Sequence, residues 1–276
     1  MDWVFRFRFL TIDPMSVQLW GVDAFTCEPF RGNPAAVCVS ETPLEPALMQ
    51  SLAAELNVSE TAFLVPQADM WGLRWFTPTV EVALCGHATL ASAHVLWESG
   101  KVPFHQTIRF QTQWSGILLC RRSPEGISMD FPACPAVEEK VPPGLEKALG
   151  AGIIWLGRSK YDFLCELADE DVVSGLQPDL QVLSTFPVRG VIVTARGSRG
   201  LDCVSRFFGP AVGVPEDPVT GSAHCTLAPF WAERLGRTRL RGWQASKRGG
   251  EVGMEFDGHG VVLTGSAVTV WKGTAL

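Results

Sequence analysis

The chain has no C-x-x-C pair, no apolar run long enough to cross a bilayer and no excess of positive charge. Each absence removes a class of function. Eight cysteines stand at positions 27, 38, 85, 120, 134, 165, 203 and 225, but no two have the spacing of a structural zinc knuckle. A chain of 276 residues needs no disulfide staples to hold a core, so reduced thiols and a cytoplasmic location are expected. No stretch approaches the ~20 apolar residues of a membrane span. The opening MDWVFRFRFL interleaves arginine with apolar residues and lacks the apolar core of a signal peptide. A net charge of -6 speaks against a nucleic-acid surface, which is basic and clustered. The single RGG at Arg248–Gly250 is no RNA-binding tract. Neither membrane nor nucleic acid is therefore an expected partner. Residues 1–16 fit nothing that follows and are expected to be a variable extension or a start-site artefact.

What is present is apolar and repeated. With 46% hydrophobic and 19% charged residues, the chain can bury two cores of domain size. RWFTP (Arg74–Pro78) is followed by CGHATLASAHVLWE (Cys85–Glu98), and RFFGP (Arg206–Pro210) by TGSAHCTLAPFWAE (Thr220–Glu233). Gly86 and Gly221, Ala88 and Ala223, and Glu98 and Glu233 share one register. Arg74 and Arg206 fall three residues out of it, which places an insertion around PEDP in the second copy. A long period present twice indicates duplicated domains rather than a solenoid. Chance likeness of two strand–turn–helix units is the competing explanation.

Each copy predicts a strand, a glycine turn and a helix apolar nearly all round, which belongs at a domain centre. The helices are expected over Ala88–Trp97, closed near Gly100, and Ala223–Leu235, closed by Gly236. Short alternating segments around them (VQLWGVDAF, AAVCVS, TAFLVP, TIRFQT, GISMDF, RGVIVTA, GMEFDG, VVLTG) predict strands. Thr42-Pro43-Leu44-Glu45 reads as a capping box opening a further helix. Its Leu44, Leu48, Leu52 and Leu56 form a stripe that packs on the outside of the first sheet, and Asn57 ends it. The fold class is α+β, with two pseudo-symmetric domains, each a curved, mostly antiparallel sheet around a central helix, and a cleft between them. The halves are 17–132 and 145–276, with the last strand free to pack on the N-terminal half. Residues 133–144, rich in Pro and Glu, form the linker.

Four segments could carry chemistry. CGHAT (Cys85–Thr89) opens a buried helix whose free N–H groups suit an anion; a tight turn with a core-facing His87 accounts for it equally. EDPVTGSAH (Glu216–His224) holds the same place in the second copy, with Asp217 in a turn and Thr220 or Ser222 as cap. Two such starts facing across a pseudo-twofold would make a carboxylate site. Glu60, in NVSETAFLVP, opens a strand with apolar residues on both faces. Partial desolvation there would raise its pKa toward the range of a general acid or base, although taken alone a strand-end glutamate turned to water fits better. FRGNPAAV (Phe30–Val37) reads first as a β-turn.

DAFTCEPFRGNPAAV, NVSETAF, LRWFTPTVEVALCGHATLA, EDPVTGSAH and SKRGGEVG, in this order, resemble the PhzF-like (phenazine biosynthesis-like) family, animal members in particular, from about Val17 to the C-terminus. The resemblance implies the diaminopimelate-epimerase-like fold. It implies that Glu60 is the acid/base that moves a proton, and that His87 and Asp217 line the pocket. It also implies that Gly86, Gly221 and Ser222 bind the substrate carboxylate, and Asn33 is counted with these substrate-binding residues. The implied reaction, isomerisation of a dihydro-hydroxyanthranilate, uses no cofactor and no metal. Reaction type carries over better than substrate: a small carboxylic acid is expected, and a homodimer is conceivable. An epimerase would need two opposed thiols, and Cys85 faces Thr220 in the repeat. A binding or scaffold protein keeping an old pocket is the non-enzymatic alternative. A zinc site on Cys85, His87 and His224 lacks a usual ligand spacing.

Overall fold

The computed structural model describes residues 17–275, and the expectation for residues 1–16 falls outside them. The first part of the chain forms β1 (Val17–Ala24), β2 (Asn33–Val39), α1 (Pro46–Leu56), β3 (Glu60–Gln67), β4 (Met70–Phe76), β5 (Glu81–Val82), α2 (Gly86–Glu98), β6 (Ile108–Thr112), β7 (Ile117–Ser123) and β8 (Gly126–Pro132). The second forms β9 (Val137–Glu138), α3 (Leu145–Leu149), β10 (Trp155–Arg158), β11 (Asp162–Glu166), α4 (Glu170–Gly175), α5 (Leu180–Leu183), β12 (Gly190–Arg196) and β13 (Cys203–Gly209). It closes with a 3-10 turn (Pro210–Val212), β14 (Val214–Asp217), α6 (Gly221–Leu235), β15 (Arg239–Gln244), β16 (Gly250–Phe256), β17 (Gly260–Gly265) and β18 (Ala267–Ala275).

Strand pairing makes the duplication explicit. One ladder runs β18–β1–β2–β3–β4–β6–β7–β8, the other β9–β10–β11–β12–β13–β15–β16–β17. Each has its parallel pairs at matching places: β2 with β3 and β4 with β6, then β11 with β12 and β13 with β15. The ladders join where β8 runs antiparallel to β17. The last strand, β18, lies antiparallel along β1. In the 133–144 stretch, β9 pairs with β10, and the Ala133 and Cys134 N–H groups donate to the carbonyls of His259 and Cys225.

The helix expectations hold at the two centres, with α2 and α6 starting two residues earlier, at the glycines. Ten residues of each are buried, as expected of a helix wrapped by its own sheet. Gly236 closes α6 in the left-handed conformation. The first helix is corrected. It begins at Pro46, not at a Thr42 cap. A proline drives the residue before it toward extended backbone, and Glu45 is extended (φ -64°, ψ 139°), so the helix cannot run through it. The inward face then belongs to Met49 and Ala53, while Leu48 is exposed. This helix packs outside the first sheet against Cys38, Phe63 and Phe76, and α2 lies on its other face.

The repeated arginines are ion-paired in the same way. Arg74 forks onto Glu81 with both contacts at 2.6 Å, and Arg206 onto Glu216 at 2.7 and 3.0 Å. The three extra residues of the second copy therefore precede Glu216, at the 3-10 turn, slightly upstream of the expected place.

His224, in the core of α6, is fully buried and contacts the Thr220 carbonyl through Nδ1 at 2.8 Å. Burial lowers its pKa to about 4. Its folded pKa thus lies below the ordinary value near 6.5, so on acidification the unfolded chain takes up this proton first. The resulting loss of stability is about 2 kcal/mol at pH 5 and about 3 kcal/mol at pH 4. Urea unfolding of wild type and His224→Asn at pH 7, 5 and 4 is expected to show that much extra acid sensitivity in wild type; parallel profiles would refute it.

Candidate active site

The two helix starts meet. A β-carbon built on Gly86 would stand 3.7 Å from the Gly221 Cα, and one built on Gly221 the same distance from Gly86. An added β-carbon would thus sit in van der Waals contact with the opposite backbone, and a branched side chain would reach further into the gap between the helix starts. Free N–H groups at the starts of α2 and α6 therefore converge on one place, where their partial positive charges favour an anion.

Around this contact the polar groups form one network. Glu60 opens β3 beside Ala35 of β2, and its carboxylate, 22% exposed, stands 3.2 Å from His87 Nε2. The approach lies off the hydrogen-bonding direction, so it is a charge contact more than a hydrogen bond. On the other edge of the ring, Nδ1 is 3.5 Å from Cys85 Sγ and 3.2 Å from Asn33 Nδ2. The Asn33 amide donates to Asp217 at 2.8 Å and to the Val219 carbonyl at 2.9 Å. Thr220 donates its hydroxyl to the other Asp217 oxygen at 2.6 Å. Gln244 completes the turn: its amide donates to the Asp217 carbonyl, and its oxygen accepts from Thr220 N–H, both at 2.8 Å.

The structure brings Glu60, His87, Asn33 and Asp217 together with Gly86, Gly221 and the exposed Ser222 at the paired helix starts. Asn33 lies between the two halves. It is fully buried and serves as a strut from the first half to Asp217 and Val219 of the second. Thr220 does not cap α6 with its side chain, because its hydroxyl is committed to Asp217. Gln244 went unnoticed in the sequence; no motif marks a glutamine at the end of a strand.

The shifts follow from burial. Burial works against a charge on His87, but the Cys85 sulfur and the Glu60 carboxylate outweigh it and hold the imidazole well above its ordinary value. Burial, with Glu60 adding to it, pushes the Cys85 thiol up. Burial thus works against a charge on the sulfur as it does on the ring. Burial also raises Asp217, opposed by His87 and by the hydrogen bonds from Thr220 and Asn33.

Glu60, Cys85 and His87 offer three donor atoms within 4.8 Å of one another. Sulfur and carboxylate stand nearest opposite nitrogens of the ring, at 3.5 and 3.2 Å. His224 turns Nδ1 to its own helix backbone and stands outside this group. No helix of the described residues is long and apolar enough to cross a membrane.

Residues 22–273 match the family model described as phenazine biosynthesis-like protein. An uncharacterized isomerase of Halalkalibacterium halodurans is 47% identical over 264 residues, covering 95% of this chain and 99% of the relative. The human phenazine biosynthesis-like domain-containing protein is 40% identical over 288 residues, covering 94% and 99%. The likeness to bacterial proteins is thus at least as strong as the expected likeness to animal ones. A crystal structure of a PhzF-family protein from Enterococcus faecalis superposes with a TM-score of 0.91 at 42% identity, covering 95% of this chain and all of that one. The epimerase-like fold class is as expected.

The geometry generates a binding test. Anthranilate titrated calorimetrically into wild type and Gly221→Val is expected to lose at least about tenfold in affinity in the variant, the scale of a hydrogen bond to a charged group. Equal affinities would remove the helix starts as its site.

Proposed function

The chain belongs to the phenazine biosynthesis-like family, and on that premise we propose that it is an isomerase moving a proton on a small carboxylic acid, with Glu60 as the general acid–base. The observation that carries this reading is the Glu60–His87 pair, a half-buried carboxylate against a buried imidazole, beside two converging helix starts. The names of the bacterial relatives support the reaction class. In the proposed step the substrate carboxylate lies at the helix starts. Glu60 breaks a C–H bond, taking the proton as an O–H, and the electron pair stays on the substrate, spread toward its carboxylate. The same O–H then protonates a different carbon, and Glu60 ends as it began. Nothing is oxidised or reduced, so the step requires no redox cofactor. His87 and the helix N–H groups stabilise the negative charge. Asp217, held by Thr220 and Asn33, positions this wall of the cleft.

A two-thiol epimerase is disfavoured. Thr220 stands opposite Cys85, its hydroxyl already bonded to Asp217, and a hydroxyl is far too weak a base to replace a thiolate. Retention of the pocket for binding alone is the remaining reading, and the same assay separates it.

Deuterium incorporation from solvent into cyclic and α-amino carboxylic acids detects proton transfer even where net turnover is invisible. Glu60→Gln is expected to lower that rate by roughly 10²–10⁴, the range for removing a general acid–base group, with little change in thermal stability or carboxylate affinity. Asp217→Asn should lose less. If Glu60→Gln keeps wild-type exchange while Asp217→Asn or Cys85→Ala abolishes it, the base is in the Asp turn or at the thiol.

A further inference from the structure

The duplication shows what stands opposite the acid–base pair. Phe63 faces Arg74 across β3 and β4, and Val193 faces Arg206 across β12 and β13. Since the two arginines correspond, so do Glu60 and Gly190. By the helix register, His87 corresponds to Ser222. A β-carbon at Gly190 would lie 2.4 Å from the Phe207 ring and 2.8 Å from the Phe208 carbonyl oxygen, so no side chain fits at Glu60's counterpart. The residue before it, Arg189, is the one that meets the counterpart of His87: its Nη2 donates to Ser222 Oγ at 3.0 Å. Where the first half sets a carboxylate against an imidazole, the second sets a guanidinium against a hydroxyl.

Arg189 is held firmly. It forks onto Asp162, which is 1% exposed, with Nε donating at 2.9 Å and Nη2 also engaged. Its guanidinium lies 5.2 Å from the Tyr161 ring centre and 5.4 Å from that of Phe207. A guanidinium only donates, and a serine hydroxyl has one proton and two lone pairs. The Arg189 contact therefore fills a lone pair of Ser222 and turns the hydroxyl proton elsewhere. Among the described residues no acceptor for that proton is recorded, and Ser222 follows Gly221 at the exposed start of α6.

We propose that Arg189 is a positioning residue for the substrate carboxylate: fixed by Asp162, it orients the Ser222 hydroxyl to donate to the anion between the two helix starts. This rests on the carboxylate reading of the cleft given above. It deepens that reading by fixing polarity. The acid group of the substrate is held on the second half, so its reacting carbons face Glu60 and His87 on the first.

The test is a double-mutant cycle on ligand binding, with anthranilate and its uncharged analogue anthranilamide titrated into wild type, Arg189→Lys, Ser222→Ala and the double variant. Lysine keeps a cation against the buried Asp162 but cannot fork to both partners. Each single variant is expected to weaken anthranilate about tenfold or more. The double variant should be no weaker than Ser222→Ala, and anthranilamide binding should be unchanged throughout. A merely structural role would shift both ligands together. The paired exchange Arg189→Gln with Asp162→Asn leaves no buried charge without a partner and should give the same loss should the lysine variant unfold. Losses that multiply in the double variant, or wild-type anthranilate affinity in both Arg189 variants, would overturn the proposal. A wild type that binds the amide as tightly as the acid would instead sink the carboxylate reading, and this inference with it.

Discussion

The contact between Gly86 and Gly221 constrains everything around it. Two helices point their N-termini at each other at van der Waals distance, and each carries about half a positive charge at that end. Brought together in a buried setting, such ends repel unless negative charge lies beside them. The acids are where this demands: Glu60 on one side, Asp217 on the other. The rest of the architecture holds the helices in this unfavourable approach. Each is wrapped by its own ladder, the ladders are welded by β8 and β17, and Asn33 bonds across from the first half to Asp217. Arg248 adds a second tie. It donates to Asp23 at 2.6 Å and to the Gly32 carbonyl at 2.8 Å, fixing the loop that delivers Asn33. In that loop Gly32 has φ +63° and a β-carbon there would stand 2.1 Å from the Ala24 carbonyl oxygen, which only glycine tolerates.

On a scaffold this symmetric, the asymmetry carries the chemistry. Cys85 corresponds to Thr220, His87 to Ser222 and Glu60 to Gly190 with Arg189 beside it. At these three positions the first half keeps groups that titrate, and the second keeps groups that hold a fixed charge or a fixed hydrogen bond. A symmetric pair of bases would suit a reaction that removes a proton from one face and returns it to the other. A single carboxylate suits removal and return on one face, at two different carbons. The proposed proton-shift isomerase follows from that difference.

The duplication, the two central helices and the fold class were legible because each rests on long local signals: an apolar run, a glycine at each end, a repeated Arg-aromatic strand. Eight strands were visible by alternation. The residues that fix the site through long-range contacts were not. Arg248 stands in a lone RGG, and no motif marks Gln244 or Arg189. Their partners, Asp23, Thr220 and Asp162, are tens to hundreds of positions away, and no periodicity encodes a long-range contact. The misplaced start of α1 has a different origin. Thr-Pro-x-Glu fits a capping box, but the second proline, Pro46, makes Glu45 extended and overrides it. Asn33 was seen as part of a conspicuous loop, yet its full burial appears only when Val219 and Asp217 close over it.

In the proposed reaction the electrostatics of the cleft change little, which is why this arrangement suits it. Before transfer the negative charge is on Glu60, 3.2 Å from the His87 ring. After transfer it is on the substrate, between that same ring and the helix starts. The fixed positive groups stay where they were, and the mobile charge moves a few ångströms among them. Stabilisation of this kind requires no reorganisation at the moment of reaction. A thiolate at Cys85 would demand the opposite: burial and the neighbouring Glu60 both work against charge on that sulfur, so forming it would add a second anion to a site already holding one. The same burial that disables the thiol strengthens the attraction between His87 and any anion placed beside it.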